Sequence, residues 1–230
     1  MRTATKSLTA LLSAGIVVAA LAGCAQSAPA GSSDSSSSTS SSAAASSAAP
    51  TPALMTEVGG KTTAITLDSG FVDALTSLKL TPGVIGNATL SKAGVLTFPI
   101  TGGNVTYYDP STGVRPYVQG ELDHEDSGLS LTAGDKKVEL RNFVIDPGND
   151  SHVSGDVFLN GKSVVKDANL FRLDGSTLNP VTKDGDAYVL EGTTVYVSED
   201  AAALLNKTFG TDAVTGDLKV GVAKLTVTGK

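Results

Sequence analysis

The sequence predicts an all-β domain, mainly antiparallel and built as a sandwich or barrel, with two short helices. Three observations predict it. Short runs of alternating apolar and polar residues recur from Ile65 to Val227, separated by glycine, asparagine and aspartate. One separator, Asn160-Gly161, is a two-residue loop of the kind that joins tightly paired antiparallel strands. Only two stretches, Asp68–Leu78 and Ser198–Phe209, set apolar residues at helical spacing behind a capping side chain.

Ahead of the domain the chain reads differently. Residues 1–23 carry Arg2 and Lys6 and then an uncharged, largely apolar stretch, Leu8–Leu21, of 14 residues. A bilayer-spanning helix needs about 20 apolar residues, so this is a signal peptide and not a membrane span. Leu21-Ala22-Gly23-Cys24 follows and resembles the lipobox of bacterial lipoproteins. The resemblance implies cleavage before Cys24, the only cysteine of the chain, and lipidation of its thiol. The expected address is therefore the extracytoplasmic face of the cell membrane, with acyl chains as the anchor. Residues 24–53 complete the approach. From Ala25 to Pro52 they are almost all Ser, Ala, Pro, Gly and Thr with one charge, Asp34. Such a composition buries too little to offset its ordering entropy and reads as a flexible tether. A single domain, residues 54–230, remains.

Within it, Gly94–Ile100 reads as a strand ending at Gly102-Gly103. Val118–His124 alternates cleanly, Glu125-Asp126-Ser127-Gly128 reads as a turn, and Leu129-Ser130-Leu131 as the returning strand of a hairpin. Val138–Ile145 is a further strand whose alternation slips at Asn142-Phe143, the mark of a bulge. Val153–Leu159 and Lys162–Val165 flank the Asn-Gly loop. Leu170–Leu173, Tyr188–Leu190, Thr193–Val197 and Leu218–Val227 complete the strands. Ile65-Thr66-Leu67-Asp68 matches Val195-Tyr196-Val197-Ser198 in pattern, and each leads into a helix. This is either an internal repeat or a coincidence in an Ala-rich chain.

Charge narrows the partners. The chain has a net charge of −6, and without Arg2 and Lys6 it holds 15 basic against 23 acidic residues. Nucleic acid needs a basic patch and is not an expected partner. With no cysteine left for the domain and only two histidines, catalytic options are few. The sequence has no nucleophile elbow, H-E-x-x-H, P-loop or dinucleotide fingerprint, and no enzymatic activity is expected.

His124 is the most informative single residue. Strand alternation puts Val118, Gly120, Leu122 and His124 on one face and Glu121, Asp123 and Glu125 on the other. His124 thus extends an apolar row and is expected at the rim of the core, as a ligand, a proton carrier or a polar plug. The three carboxylates form either a weak cation site or a solvated strand face. Asp146–Asp150 and Asp184-Gly185-Asp186 have turn chemistry and lack the spacing of a calcium loop. His152 is expected to be exposed.

Gly102–Val105, the His124…Gly128-Leu129 segment, Phe143–Asp146, Leu170–Asp174 and Asn206–Gly210 follow one another as in the HtaA-type haem-binding domain, and the stretch from Gly102 onward resembles that family. The resemblance implies the fold, and haem as the sharpest ligand candidate. In that family an early tyrosine ligates the iron and a histidine supports it. His124 matches the histidine. The comparable early segment, Ser69–Leu75, has no tyrosine, so Tyr107, Tyr108 or Tyr117 would have to supply the phenolate. The overall expectation is a surface-anchored β-domain that binds a small molecule or a cell-envelope partner; the alternative is a structural or adhesive envelope protein with no small-molecule site.

Overall fold

The computed structural model describes residues 49–230; the signal peptide, Cys24 and most of the tether lie outside the described residues. The strands are β1 (Leu54–Leu67), β2 (Thr81–Gly86), β3 (Thr89–Leu90), β4 (Val95–Pro99), β5 (Gly102–Tyr107), β6 (Val118–Ala133), β7 (Lys136–Asp146), β8 (His152–Leu159), β9 (Lys162–Asp174), β10 (Thr182–Asp184), β11 (Ala187–Val197) and β12 (Lys219–Gly229). The helices are α1 (Ser69–Ser77) and α2 (Glu199–Phe209).

Pairing between neighbours runs β1–β5–β6–β7–β8–β9–β11–β12 and returns to β1, antiparallel at every step. The eight strands therefore close on themselves, which is the barrel form of the predicted class. A ring of about this size has an interior that side chains just fill or that one small ligand can occupy. The remaining strands are not on this closed path, although β4 lies beside β5 along β1 and still contributes to the wall. β4 pairs with Thr62–Thr66 of β1, while β5 takes Leu54–Glu57. β3 adds to β4, β2 to β6 and β10 to β11. Pro82 is tolerated in β2 because that strand pairs with β6 on one side. Among the described residues the buried core runs from Leu54 to Val227, so this stretch has a core of its own.

Both predicted helices form. Asp68 accepts from the Gly70 N–H at 2.9 Å and Ser198 from the Ala201 N–H at 3.0 Å, each satisfying an otherwise orphan helix donor. β1 and β11 flank β12, run parallel to each other and each lead into one of these helices. Thr66 and Thr194 both face Val222, and Leu67 and Val195 both face Gly221. The two strand–cap–helix units thus correspond in space, two residues out of step with the sequence match.

One predicted hairpin is wrong. Glu125–Gly128 is not a turn; β6 continues through it to Ala133 and the chain reverses at Gly134-Asp135. His124 faces Phe143 and Gly128 faces Arg141, so three residues of β6 bulge against the single residue Asn142 of β7. Asn142, itself at φ 55°, receives the Asp126 N–H on its side-chain oxygen at 3.3 Å. The polar, glycine-ended tetrapeptide that resembles a turn serves as this bulge. Gly86 is required beside it: at φ +58° its missing side chain leaves room for the Asp126 carbonyl. Tyr188–Leu190 and Thr193–Val197, read as two strands, form one, with the break at Gly192 absorbed as a register shift.

Candidate functional site

The ring encloses a cavity of about 340 Å³, within the span of about 300–1,000 Å³ usual for small-molecule sites. Every ring strand except β5 contributes lining residues, together with the loops around Arg115–Tyr117, Pro147–Ser151 and Gly175–Leu178. These loops lie at the starts of β6 and β8 and the ends of β7 and β9, which is one end of the ring. α1 and α2 follow the far ends of β1 and β11. The mouth and the helices therefore occupy opposite ends. Leu96, Phe98, Phe143, Phe171, Val195 and Leu225 give the wall its apolar character.

His124 lies deep. It stands seven residues along from Tyr117, roughly 20 Å of strand from the mouth, and is 1% exposed. It is a core residue and not at the rim; the bulge that follows it keeps β6 in the sheet where a hairpin tip was expected. Its Nδ1 lies 3.2 Å from the Phe143 carbonyl and its Nε2 2.8 Å from Thr63 Oγ1. A carbonyl can only accept, so Nδ1 carries the proton. Nε2 is then bare and accepts from the Thr63 hydroxyl. Burial holds the imidazole pKa down at about 4, against the raising effect of the Phe143 carbonyl. His124 is neutral at pH 7. Phe98 meets the His124 ring edge-on at 6.5 Å, Phe143 meets Phe98 edge-on at 5.3 Å, and Phe171 continues the aromatic row from Phe143. Ser127, close by in sequence, donates to the His124 carbonyl at 3.1 Å and not to the ring, so the two form no nucleophile–base pair.

Of the three candidate tyrosines the structure brings only Tyr117 to the cavity. Its hydroxyl donates to the Gly175 carbonyl at 2.6 Å. Burial, and then neighbouring Tyr107, push the phenol up from its ordinary value, which disfavours a phenolate. Tyr107 is buried outside the cavity lining, edge-on to Tyr117 at 6.2 Å. Tyr108 pairs through its backbone with the Tyr117 carbonyl and does not line the cavity either. His152 is half-buried at the start of β8, with Nδ1 2.7 Å from the Asp150 carbonyl. Glu121 and Glu125 are exposed on the outer face, and among the described residues no group of three His, Cys, Asp or Glu is placed to hold a metal ion.

Two residues escaped the sequence reading. Thr63 lies in β1, a strand recognised only from Ile65 onward, and its pairing with His124 spans 61 positions. Arg115 precedes β6 at the mouth. Its Nη1 bonds the Val114 carbonyl at 2.7 Å, and its guanidinium sits 5.7 Å from the centre of the Tyr117 ring. No local pattern marks either one.

No protein-family model matches the chain, and no curated protein matches it. Among solved structures, the C-terminal domain of HtaA from Corynebacterium glutamicum superposes with a TM-score of 0.52, covering 75% of this chain and 98% of that domain. The domain has the HtaA fold. The heme binding protein HtaB from the same organism aligns with a TM-score of 0.45 at 10% identity, over 76% of this chain and 94% of its own. At 13% identity to the HtaA domain, the likeness establishes architecture alone. What this HtaA-like barrel binds has to be read from its own lining.

Haem iron would need a free lone pair directed into the cavity. His124 Nε2 is engaged by Thr63 and Tyr117 is held as a neutral phenol by Gly175. Tyr107 and Tyr108 are absent from the lining. As arranged, the donor set does not fit an axial iron ligand.

Proposed function

We propose that this protein is a lipid-anchored, extracytoplasmic binding protein whose barrel takes one apolar small molecule through the mouth framed by Arg115, Tyr117 and Gly175. The observation that carries the reading is the apolar cavity inside a closed ring, with its deep polar group fully hydrogen-bonded. An empty space of that size in a packed core forfeits contact energy, by about 24 cal/mol per Å³ in cavity-forming mutants, unless an occupant supplies the contacts. The HtaA fold and the sequence resemblance make haem the named candidate. On this lining a haem would be held by its apolar ring, not through its iron.

The test uses residues 54–230 and N-phenyl-1-naphthylamine, an uncharged fluorophore. Saturable enhancement at one probe per chain is expected. It should disappear in Ala223→Phe and in Val195→Phe, which fill the cavity from β12 and β11. Enhancement that is unsaturable, or indifferent to both blocks in folded protein, would leave the structural or adhesive reading. The anchor rests on the lipobox and the single cysteine. In cells, Cys24→Ala should abolish palmitate labelling and release the protein from membranes; retention with unchanged labelling would overturn it.

A further inference from the structure

Among the described residues the cavity wall carries one charged side chain. The chain has 23 acidic residues and a net charge of −6, yet no described carboxylate lines this space; the one formal charge there is the cation of Arg115. His124, the other titratable base on the wall, is neutral and sealed at depth.

Arg115 is also free to act. Its side chain is exposed at the mouth, and none of the ion pairs among the described residues includes it. Only Nη1 is engaged, by the Val114 and Pro110 carbonyls of its own loop. That pair of bonds and the Tyr117 ring fix the guanidinium plane while Nη2 and Nε remain available as donors. A guanidinium fork matches the two oxygens of a carboxylate.

We propose that the ligand is a metal-free amphiphile with one apolar body and a carboxylate, the body filling the barrel toward His124 and the carboxylate pairing with Arg115 at the mouth. This rests on the cavity reading and sharpens it. The orientation follows from where each end of the ligand is stable. A carboxylate at the floor would meet a neutral imidazole and apolar walls with no donor left, and the desolvation cost would be large. At the mouth it keeps contact with water and gains a fixed cation. The same arrangement gives iron no part in affinity, because His124 Nε2 is committed to Thr63 and the Tyr117 phenol keeps its proton on the Gly175 carbonyl.

The test is calorimetry of residues 54–230 with palmitic acid and methyl palmitate, and with hemin and iron-free protoporphyrin IX. Palmitic acid should saturate at one per chain and bind about ten-fold more tightly than its ester. Arg115→Gln should erase that preference, and Arg115→Lys should restore part of it. Raising salt should narrow the gap, since the pair is partly solvated. The two porphyrins should bind within about two-fold of each other. Equal affinity for acid and ester, in protein whose fluorophore binding is abolished by Ala223→Phe, would overturn the carboxylate proposal and leave the cavity reading intact. A preference of ten-fold or more for hemin over iron-free porphyrin would overturn the metal-free part. Failure of the fluorophore itself to bind would remove the cavity reading and this proposal with it.

Discussion

The two ends of the cavity treat their polar groups in opposite ways. At the floor, His124 and Thr63 satisfy each other, and the Phe143 carbonyl takes the remaining imidazole proton. At the mouth, Arg115 keeps donors in reserve beside an exposed rim. A buried polar group left unpaired costs about 1–3 kcal/mol, whereas an exposed one is held by water and loses little. The floor therefore belongs to the fold, and the mouth is where the recognition proposed above would fall. A histidine in a pocket is easily taken for a ligand. Here its complete hydrogen bonding marks it as a strut between β1, β6 and β7.

That contrast can be broken at its strongest point. His124→Ala removes a buried ring from the aromatic row and strands both the Thr63 hydroxyl and the Phe143 carbonyl. It should destabilise the domain by about 3–5 kcal/mol, as truncation of a large buried side chain does. Chemical denaturation of residues 54–230 measures it. Arg115→Ala at the mouth should stay within about 0.5 kcal/mol in the same assay. Comparable losses at both positions would erase the distinction.

Acid tests the same residue without mutation. An unfolded histidine titrates near 6.5, while folded His124 titrates at about 4. Between these values the unfolded chain holds a proton that the folded chain refuses. Stability from this group is complete above pH 6.5, falls as the pH drops toward 4 and levels off below it. The total is on the order of 3 kcal/mol. His124→Gln should flatten that stretch of the stability–pH curve, and an unaltered slope would mean that other groups account for it. Thr63→Val, close in shape but without the hydroxyl, leaves Nε2 unpaired and should cost about 1–3 kcal/mol. Nitrogen NMR should show the proton on Nδ1 in both proteins.

What the sequence revealed divides along the same line as the site. Local signals read true: the Asn160-Gly161 hairpin, with both residues at positive φ, the Asp68 and Ser198 caps, and the slip at Asn142. The face that His124 shares with Leu122 was legible from alternation, and both are buried. Non-local facts were hidden. Glu125–Gly128 has the composition of a turn, and only pairing with Asn142 and Gly86 makes it a bulge. Ring closure through β12, the Thr63 partner and the place of Arg115 on the wall all depend on residues far apart in the chain. Nothing in the sequence around Tyr107, Tyr108 and Tyr117 shows which of them the barrel admits. That is decided by where the loop ahead of β6 folds: it brings Tyr117 to the mouth, while Tyr107, paired with Val118, is buried beside the cavity without lining it.

Tyr117 gives the smallest expected effect and the sharpest distinction. It sits at the mouth, yet its hydroxyl is committed to Gly175 in the manner of a floor residue. Tyr117→Phe loses that one hydrogen bond and keeps the ring, its edge contact with Tyr107 and its stacking under Arg115. The loss of stability should be about 1 kcal/mol or less, because the site is half-buried and the Gly175 carbonyl can turn to water. Hemin separates the two roles. Were the phenolate an iron ligand, Tyr117→Phe would abolish tyrosinate character in the Soret region and most of the affinity. As a doorpost whose proton stays on oxygen, it should leave hemin affinity within about two-fold and the spectrum unaltered. The raised phenol pKa favours the second outcome, since ionisation would set a negative charge against the Gly175 carbonyl in a partly desolvated site. A spectrum that changes with Tyr117→Phe would mean that iron draws the phenol away from Gly175, and would make the mouth, not the floor, the place where this fold holds a metal.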